Sequence, residues 1–313
     1  MKKIFLFTIT LLLTTTVFAA TKSKYVIAVE SFSYTNQCSE AFAEQVRNNV
    51  IGGISEFPYI QVIDAQTAGA LSAEDQRRSS EAAMADPTAR MGEMKQLGAE
   101  YILIGSITSY SCVFQPQKDD PNKGNWKATM VLALKLVNTE DGTTQVVNYP
   151  YDGSRHFGDV RYGLSEDKER SISSLFAFVK KDMKIFVTDK LKQEGTLVDT
   201  DYTMDKKKKK VETCYITLGS ADGLKKDIKF EVFKVKVIAG TNTYQQIEDV
   251  VLEVEEVVAE HLALCKVKKG EKLLTALKEY EQIKDADPQH AEPLIVRTRK
   301  VKDDGGWGTS FTH

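Results

Sequence analysis

The residues of this 313-residue chain that could do chemistry are few and far apart. Four cysteines, Cys38, Cys112, Cys214 and Cys265, fall two in each half, which suggests the disulfides Cys38–Cys112 and Cys214–Cys265. Four cysteines allow three connectivities, and four buried thiols are the alternative. The four histidines, at 156, 261, 290 and 313, pair with no cysteine or acid at metal-ligand spacing, and the cysteines are too dispersed for a zinc site. Ser31, Ser33 and Ser39 have no nearby base, Gly52-Gly53 does not follow a strand, and Gly92, Gly98 and Gly105 form no dinucleotide fingerprint. Asp199 and Asp201 read as solvated acids. This pattern predicts no enzyme, no cofactor and no bound metal. The remaining chemical feature is the run Lys206, Lys207, Lys208, Lys209 and Lys210, which reads as a solvated linker or as a contact for an anionic surface.

Lys2 and Lys3, an apolar run from Ile4 to Leu13 and the small residues Ala19-Ala20 make a secretory leader pattern with cleavage after Ala19 or Ala20. A membrane-spanning helix needs about 20 apolar residues, and Thr14 to Thr16 interrupts this run. No cysteine follows the run before Cys38, so a lipid anchor is not expected. Loss of the leader removes two lysines and no acid, leaving 40 basic residues against 44 acidic ones, which disfavours a nucleic-acid binder. Export would place the cysteines where they can oxidise.

The elements that must position these groups fall into two sets. Tyr25 to Phe32, Ile60 to Asp64 and Tyr101 to Ile107 read as strands, separated by helices at about Ser39–Ile54 and from Asp86-Pro87 to Leu97. The first helix carries the stripe Phe42, Val46, Val50 and Ile54, and Gly98 is the expected left-handed stop of the second. A short polar loop over 110–126 leads to a hairpin, Trp126–Val137 and Thr143–Tyr149, that puts Met130, Leu132, Leu134 and Leu136 on one face. After an exposed loop over 152–169, Arg170–Gln193 keeps a helical apolar period for more than five turns and should cover one face of the sheet. The predicted organisation is a signal peptide at 1–20, an α/β (α+β) domain at 21–195, a linker at 196–210 and a small β-rich domain at 211–313. The last domain reads as a barrel or sandwich, with strands at about ten-residue spacing and a short helix at Lys272–Lys284.

Several motifs resemble the CsgG-like superfamily of curli assembly, which includes the N-terminal domain of TolB and the lipoprotein LpoB. They are Val26-Ile27-Ala28-Val29-Glu30-Ser31-Phe32, Ala43-Glu44-Gln45-Val46, Ile60-Gln61-Val62-Ile63-Asp64, the segment Leu97 to Ile107, and Leu136-Val137-Asn138-Thr139-Glu140-Asp141-Gly142. They cover about residues 24–193. Ile216-Thr217-Leu218-Gly219-Ser220-Ala221-Asp222-Gly223 and Val251-Leu252-Glu253-Val254 resemble the small β domain of flagellar assembly protein T. The resemblance implies a three-layer-type mixed sheet of the TolB-N/CsgG kind, and a non-enzymatic periplasmic adaptor or assembly factor that works by binding other envelope proteins, peptidoglycan, the outer-membrane surface or further copies of itself. The alternatives it carries are an oligomeric secretion pore of the curli type and an activator of a peptidoglycan synthase. The curli pore protein has a lipidated N-terminal cysteine and long membrane-inserting hairpins, neither of which is expected here.

Overall fold

A computed structural model describes residues 24–65, 98–154, 161–238, 241–288 and 291–301. The leader, the cleavage point and the second expected helix lie outside the described residues. Ser39 begins the first helix as foreseen. Its hydroxyl accepts a hydrogen bond from the Phe42 amide at 3.2 Å, and Glu40 sits in the first turn, so the helix N-terminus is both capped and charge-matched. Helix α1 (Glu40–Ile54) buries the predicted stripe Phe42, Val46, Val50 and Ile54. A second helix, α2 (Lys168–Lys190), starts at Asp167, whose carboxylate accepts from the Arg170 amide at 2.7 Å. It buries Leu175, Val179, Met183, Phe186 and Val187. The two helices approach closely at Gly53, where a Cβ would stand 2.7 Å from the Met183 Cβ.

Beneath them lies a mixed sheet of β1 (Tyr25–Val29), β2 (Ser33–Tyr34), β3 (Ile60–Asp64), β4 (Tyr101–Pro116), β5 (Gly124–Asn138), β6 (Thr144–Tyr151) and β7 (Gly163–Ser165). The main order is β3-β1-β4-β5-β6, with β2 beside β4 and β7 beside β5. Strand β1 runs parallel to both β3 and β4, while β4, β5 and β6 are antiparallel. Met130, Leu132, Leu134 and Leu136 face the helices, as their alternation requires. Among the described residues α1 and α2 form one helical layer over one face, so the sheet is seen as two layers. A separate small cluster of Ala28, Ala65, Ala99 and Ile102 forms a second patch of core.

Two expectations fail in the sheet. The short polar loop over 110–126 is instead the far half of a long hairpin, β4 and β5, paired from Tyr101–Asn138 out to Pro116–Gly124. Tyr110, Cys112 and Phe114 alternate with exposed Ser109, Ser111, Val113 and Gln115, so the strand period continues through the stretch. Part of the exposed loop over 152–169 is also structured: β7 pairs with β5, and Ser171 donates to the Trp126 carbonyl at 2.9 Å.

The second unit is a closed barrel in the order β10-β11-β12-β9-β8-β13, which settles the barrel-or-sandwich alternative. Its strands are β8 (Glu194–Met204), β9 (Val211–Ile216), β10 (Lys229–Ile238), β11 (Thr241–Ala259), β12 (Leu262–Lys268) and β13 (Ile295–Thr298). Register breaks at Glu231/Phe233, Val254/Glu256 and Val257/Ala259 bend the long strands far enough to close. Helix α3 (Gly270–Ala286) adds Leu273, Leu274, Ala276 and Leu277 to a core built on Phe230, Val232, Leu252 and Val254. The linker expected over 196–210 is not one. Residues 194–204 form β8, which joins β9 and β13, because Leu197 supplies an inward side chain even though the strand is mostly polar. Asp199 is ion-paired with Lys284 of α3 at 2.6 Å.

Candidate functional site

The two units meet along a hydrogen-bonded seam. The Tyr25 hydroxyl donates to the Lys192 carbonyl at 2.5 Å, and the Gln193 amide side chain donates to the Asp222 carbonyl at 2.6 Å. Thr298 N–H donates to the Gln193 carbonyl at 3.0 Å, Val301 N–H to the Thr188 hydroxyl at 3.0 Å, and Lys300 pairs with Asp189 at 3.0 Å. The barrel's turn at Gly223 packs so closely on the segment after α1 that a Cβ there would lie 2.6 Å from the Pro58 carbonyl carbon. These contacts come from the last residues of α2, the 3-10 turn Ser220–Asp222 and the end of β13, so the seam is fixed by rigid elements.

Beside the seam opens a cleft of about 440 Å³. Phe57, Tyr59 and Thr188 line it from the sheet unit, and residues 227–229 and 298–301 from the barrel. Tyr59 is 1 % exposed, and its hydroxyl has no hydrogen-bond partner among the described residues. Burial, with a smaller contribution from Tyr25, pushes its acidity far out of reach, so the phenol stays protonated as a donor. Lys229, Arg299 and Lys300 stand near the rim, but Glu253, Glu231 and Asp189 lie within 4 Å of them respectively, and the local field is close to balanced.

A second constellation holds the barrel side of the seam. The carboxylate of Asp222, 3 % exposed, accepts from the Gly219 amide at 2.9 Å and contacts His261 Nδ1 at 2.9 Å. This carboxylate–imidazole pair orients the ring of an exposed histidine and fixes the same turn that carries Gly223. Among the described residues no group of three or more His, Cys, Asp or Glu is arranged to hold a metal ion.

The residues singled out from sequence are dispersed. All four cysteines are thiols. Cys214 and Cys265 lie directly opposite each other on β9 and β12, both with no exposure, inside the barrel. Cys38 is buried after β2; Cys112 is partly buried within β4, not beyond the end of the third strand as expected. Both lie close enough to Tyr110 to affect its ionisation. Lys206 to Lys210 form the exposed turn between β8 and β9. Sequence reasoning missed the cleft and the Asp222–His261 pair, because their residues come from distant segments: Asp222 stood only in the Ile216–Gly223 motif, and His261 only among histidines without a partner at metal-ligand spacing.

The exposed face of the sheet carries Ile104, Val113, Val146 and Leu164, with Val113 and Val146 more than half exposed. No described helix is long and apolar enough to cross a membrane.

No protein-family profile matches the chain, and no curated protein matches it. Among solved structures, lipoprotein GNA1162 from Neisseria meningitidis aligns at 12% identity over 53% of this chain and 99% of its own, with a TM-score of 0.36. The PelC dodecamer from Paraburkholderia phytofirmans aligns at 12% identity over 51% of this chain and 86% of its own, with a TM-score of 0.30. The LpoB C-terminal domain from Salmonella enterica aligns at 12% identity over 42% and 85%, with a TM-score of 0.28. At these scores the likenesses carry no inference about activity or partners, and the curli and flagellar resemblances rest on the sequence alone.

Proposed function

We propose that this chain is a non-enzymatic assembly or adaptor protein of the cell envelope that holds protein partners in the periplasm. The observation that carries the reading is the seam. Two units with separate cores are joined by short hydrogen bonds from helix and strand ends, so two outer surfaces are presented in one fixed geometry. Such rigidity serves a holder, because partners docked on pre-organised surfaces need no further ordering of the protein. The leader pattern and the CsgG-like motifs point to the envelope. The long β4–β5 hairpin supports the adaptor over the pore. Its far half is committed to the protein's own fold: Tyr110 packs on Phe42 with ring centroids 4.1 Å apart, and Trp126 pairs with Ser165.

The test is site-specific photo-cross-linking in intact cells, with the probe at Val146 on the open sheet face or Val258 on the barrel. Reproducible capture of defined envelope proteins from one or both positions is expected. Stable channels from the purified protein in planar bilayers, with no cross-linked partner, would replace this reading with the pore.

A further inference from the structure

We propose that the lysine turn of the barrel docks on the surface of a membrane rich in anionic phospholipid. The turn is a built feature and not a loose tether. The Asp205 carboxylate accepts from the Lys209 and Lys210 amides at 2.6 and 3.1 Å, and the Asp205 amide donates to the Lys210 carbonyl at 3.0 Å. Lys208 takes a left-handed conformation, φ 54°, to close it. Five consecutive lysines are thereby carried at one end of a rigid hairpin. All five are exposed, and among the described residues none forms an ion pair. The one acid inside the turn, Asp205, spends its charge on backbone amides, which hold its carboxyl below the usual range.

The start of α3 lies alongside the turn. Gly270, where α3 begins, fits against Val211 so tightly that a Cβ would meet the Val211 carbonyl oxygen, and this brings Lys269 and Lys272 next to the turn. Those two lysines share Asp249, at 3.3 and 3.4 Å, and Glu271 sits between them in the first turn of α3, so this segment is close to neutral and the positive charge is that of the turn itself. The whole chain is slightly acidic, with a formal net charge of −2, so the patch is local and not part of a general basicity. Its shape selects the partner. A projecting turn meets a plane with several side chains at once, whereas a flexible polyanion is held better by a groove that follows its backbone. Each lysine at an anionic bilayer contributes about 1 kcal/mol, or about fivefold in affinity, and the effect fades within a Debye length of about 10 Å at 0.1 M salt.

The experiment is co-sedimentation of the full leader-less chain with vesicles of phosphatidylcholine alone or mixed with phosphatidylglycerol. Binding only to the mixed vesicles, falling as salt rises, is expected. Replacing all five lysines by glutamine should weaken it at least tenfold, while Lys118→Gln/Lys123→Gln, in the distant β4–β5 turn, should leave it unchanged. Asp205→Ala keeps every lysine but frees the turn, and should weaken binding several-fold. Equal binding by the five-fold variant and the wild type would overturn the proposal. So would binding to soluble dextran sulfate as strong as to the vesicles, which would make the partner an acidic polymer. Because the partners proposed above are proteins captured at Val146 or Val258, failure of vesicle binding leaves that reading standing.

Discussion

At Gly98 the backbone is left-handed, φ +80°, and a Cβ would meet nothing within 4 Å, so a substitution there is penalised by the backbone alone. Gly98→Val should cost about 1–3 kcal/mol, and Gly98→Asn clearly less, because asparagine tolerates this region. Denaturant midpoints of the two variants test it; equal midpoints would refute it. The left-handed backbone at Gly98 was legible from a glycine set directly before an apolar β run; the helix it was expected to end lies outside the described residues. The cysteines were legible only as two pairs. That Cys214 and Cys265 face each other depends on the register of β9 against β12, which no spacing within one segment encodes. Cross-strand neighbours have Cα atoms about 4.5–5.5 Å apart, within the span of a disulfide. Burial raises the pKa of all four thiols and pushes that of Cys265 up to about 12. In the reduced, folded chain Cys112 should therefore alkylate first and Cys214 and Cys265 last. Mass spectrometry of timed alkylation checks the order, and equal rates at all four would contradict it.

The elements are tied together by a few charged groups. Arg47 of α1 is 1 % exposed; it donates to the Val29 and Glu30 carbonyls at 3.0 and 2.9 Å and pairs with Asp64 at 2.5 Å and Glu44 at 3.0 Å. It joins the helix to the ends of β1 and β3. Arg47→Ala leaves the buried Val29 carbonyl without its donor and should cost about 1–3 kcal/mol, the range for an unsatisfied buried polar group, as read by a thermal or denaturant melt. Glu56, just past α1, pairs with Lys180 and Lys184 of α2 at 2.8 and 2.9 Å. Burial raises its carboxyl, but hydrogen bonds from the two lysines outweigh that and hold it below the ordinary 4.5. Its contribution is therefore present above pH 4.5 and is lost as the pH falls through the lowered value. Glu56→Gln should flatten the acid limb of the stability–pH curve and leave the alkaline side unchanged.

At this scale α1, β1, β3, α2 and the β5–β6 hairpin could be read from periodicity, because each has a wide apolar face. The outer half of β4 was lost because serines occupy its exposed positions and imitate a loop. Strand β8 was lost because its acids and threonines carry little apolar signal, and closure of the barrel decides its state. The cleft was not legible at all, since it exists only where the two units meet.

For the molecule as a whole the seam makes the two units stabilise each other. Gly223→Val adds a side chain at φ +72° against the Pro58 backbone, and should both strain the turn and push the units apart. In a Trp307→Phe background, which leaves Trp126 of the sheet unit as the one tryptophan, denaturant unfolding followed by fluorescence and by far-ultraviolet circular dichroism should become separable with Gly223→Val, while the two probes agree without it. Coincident transitions in the variant would mean that the seam contributes nothing to cooperativity. The barrel's connectivity also bears on the order of events during synthesis. Its sheet is closed by β13, whose residues Ile295 to Arg297 pair with Glu194 to Thr196 of β8, about a hundred residues earlier. A ribosome delivers about 5–20 residues per second. After β12 ends at Lys268, seconds pass before β13 exists, and through that interval β8 and β10 keep bare edges toward the missing strand. Newly made chains are thus open to pairing with one another until β13 emerges, and any termination before residue 295 makes that vulnerable interval permanent.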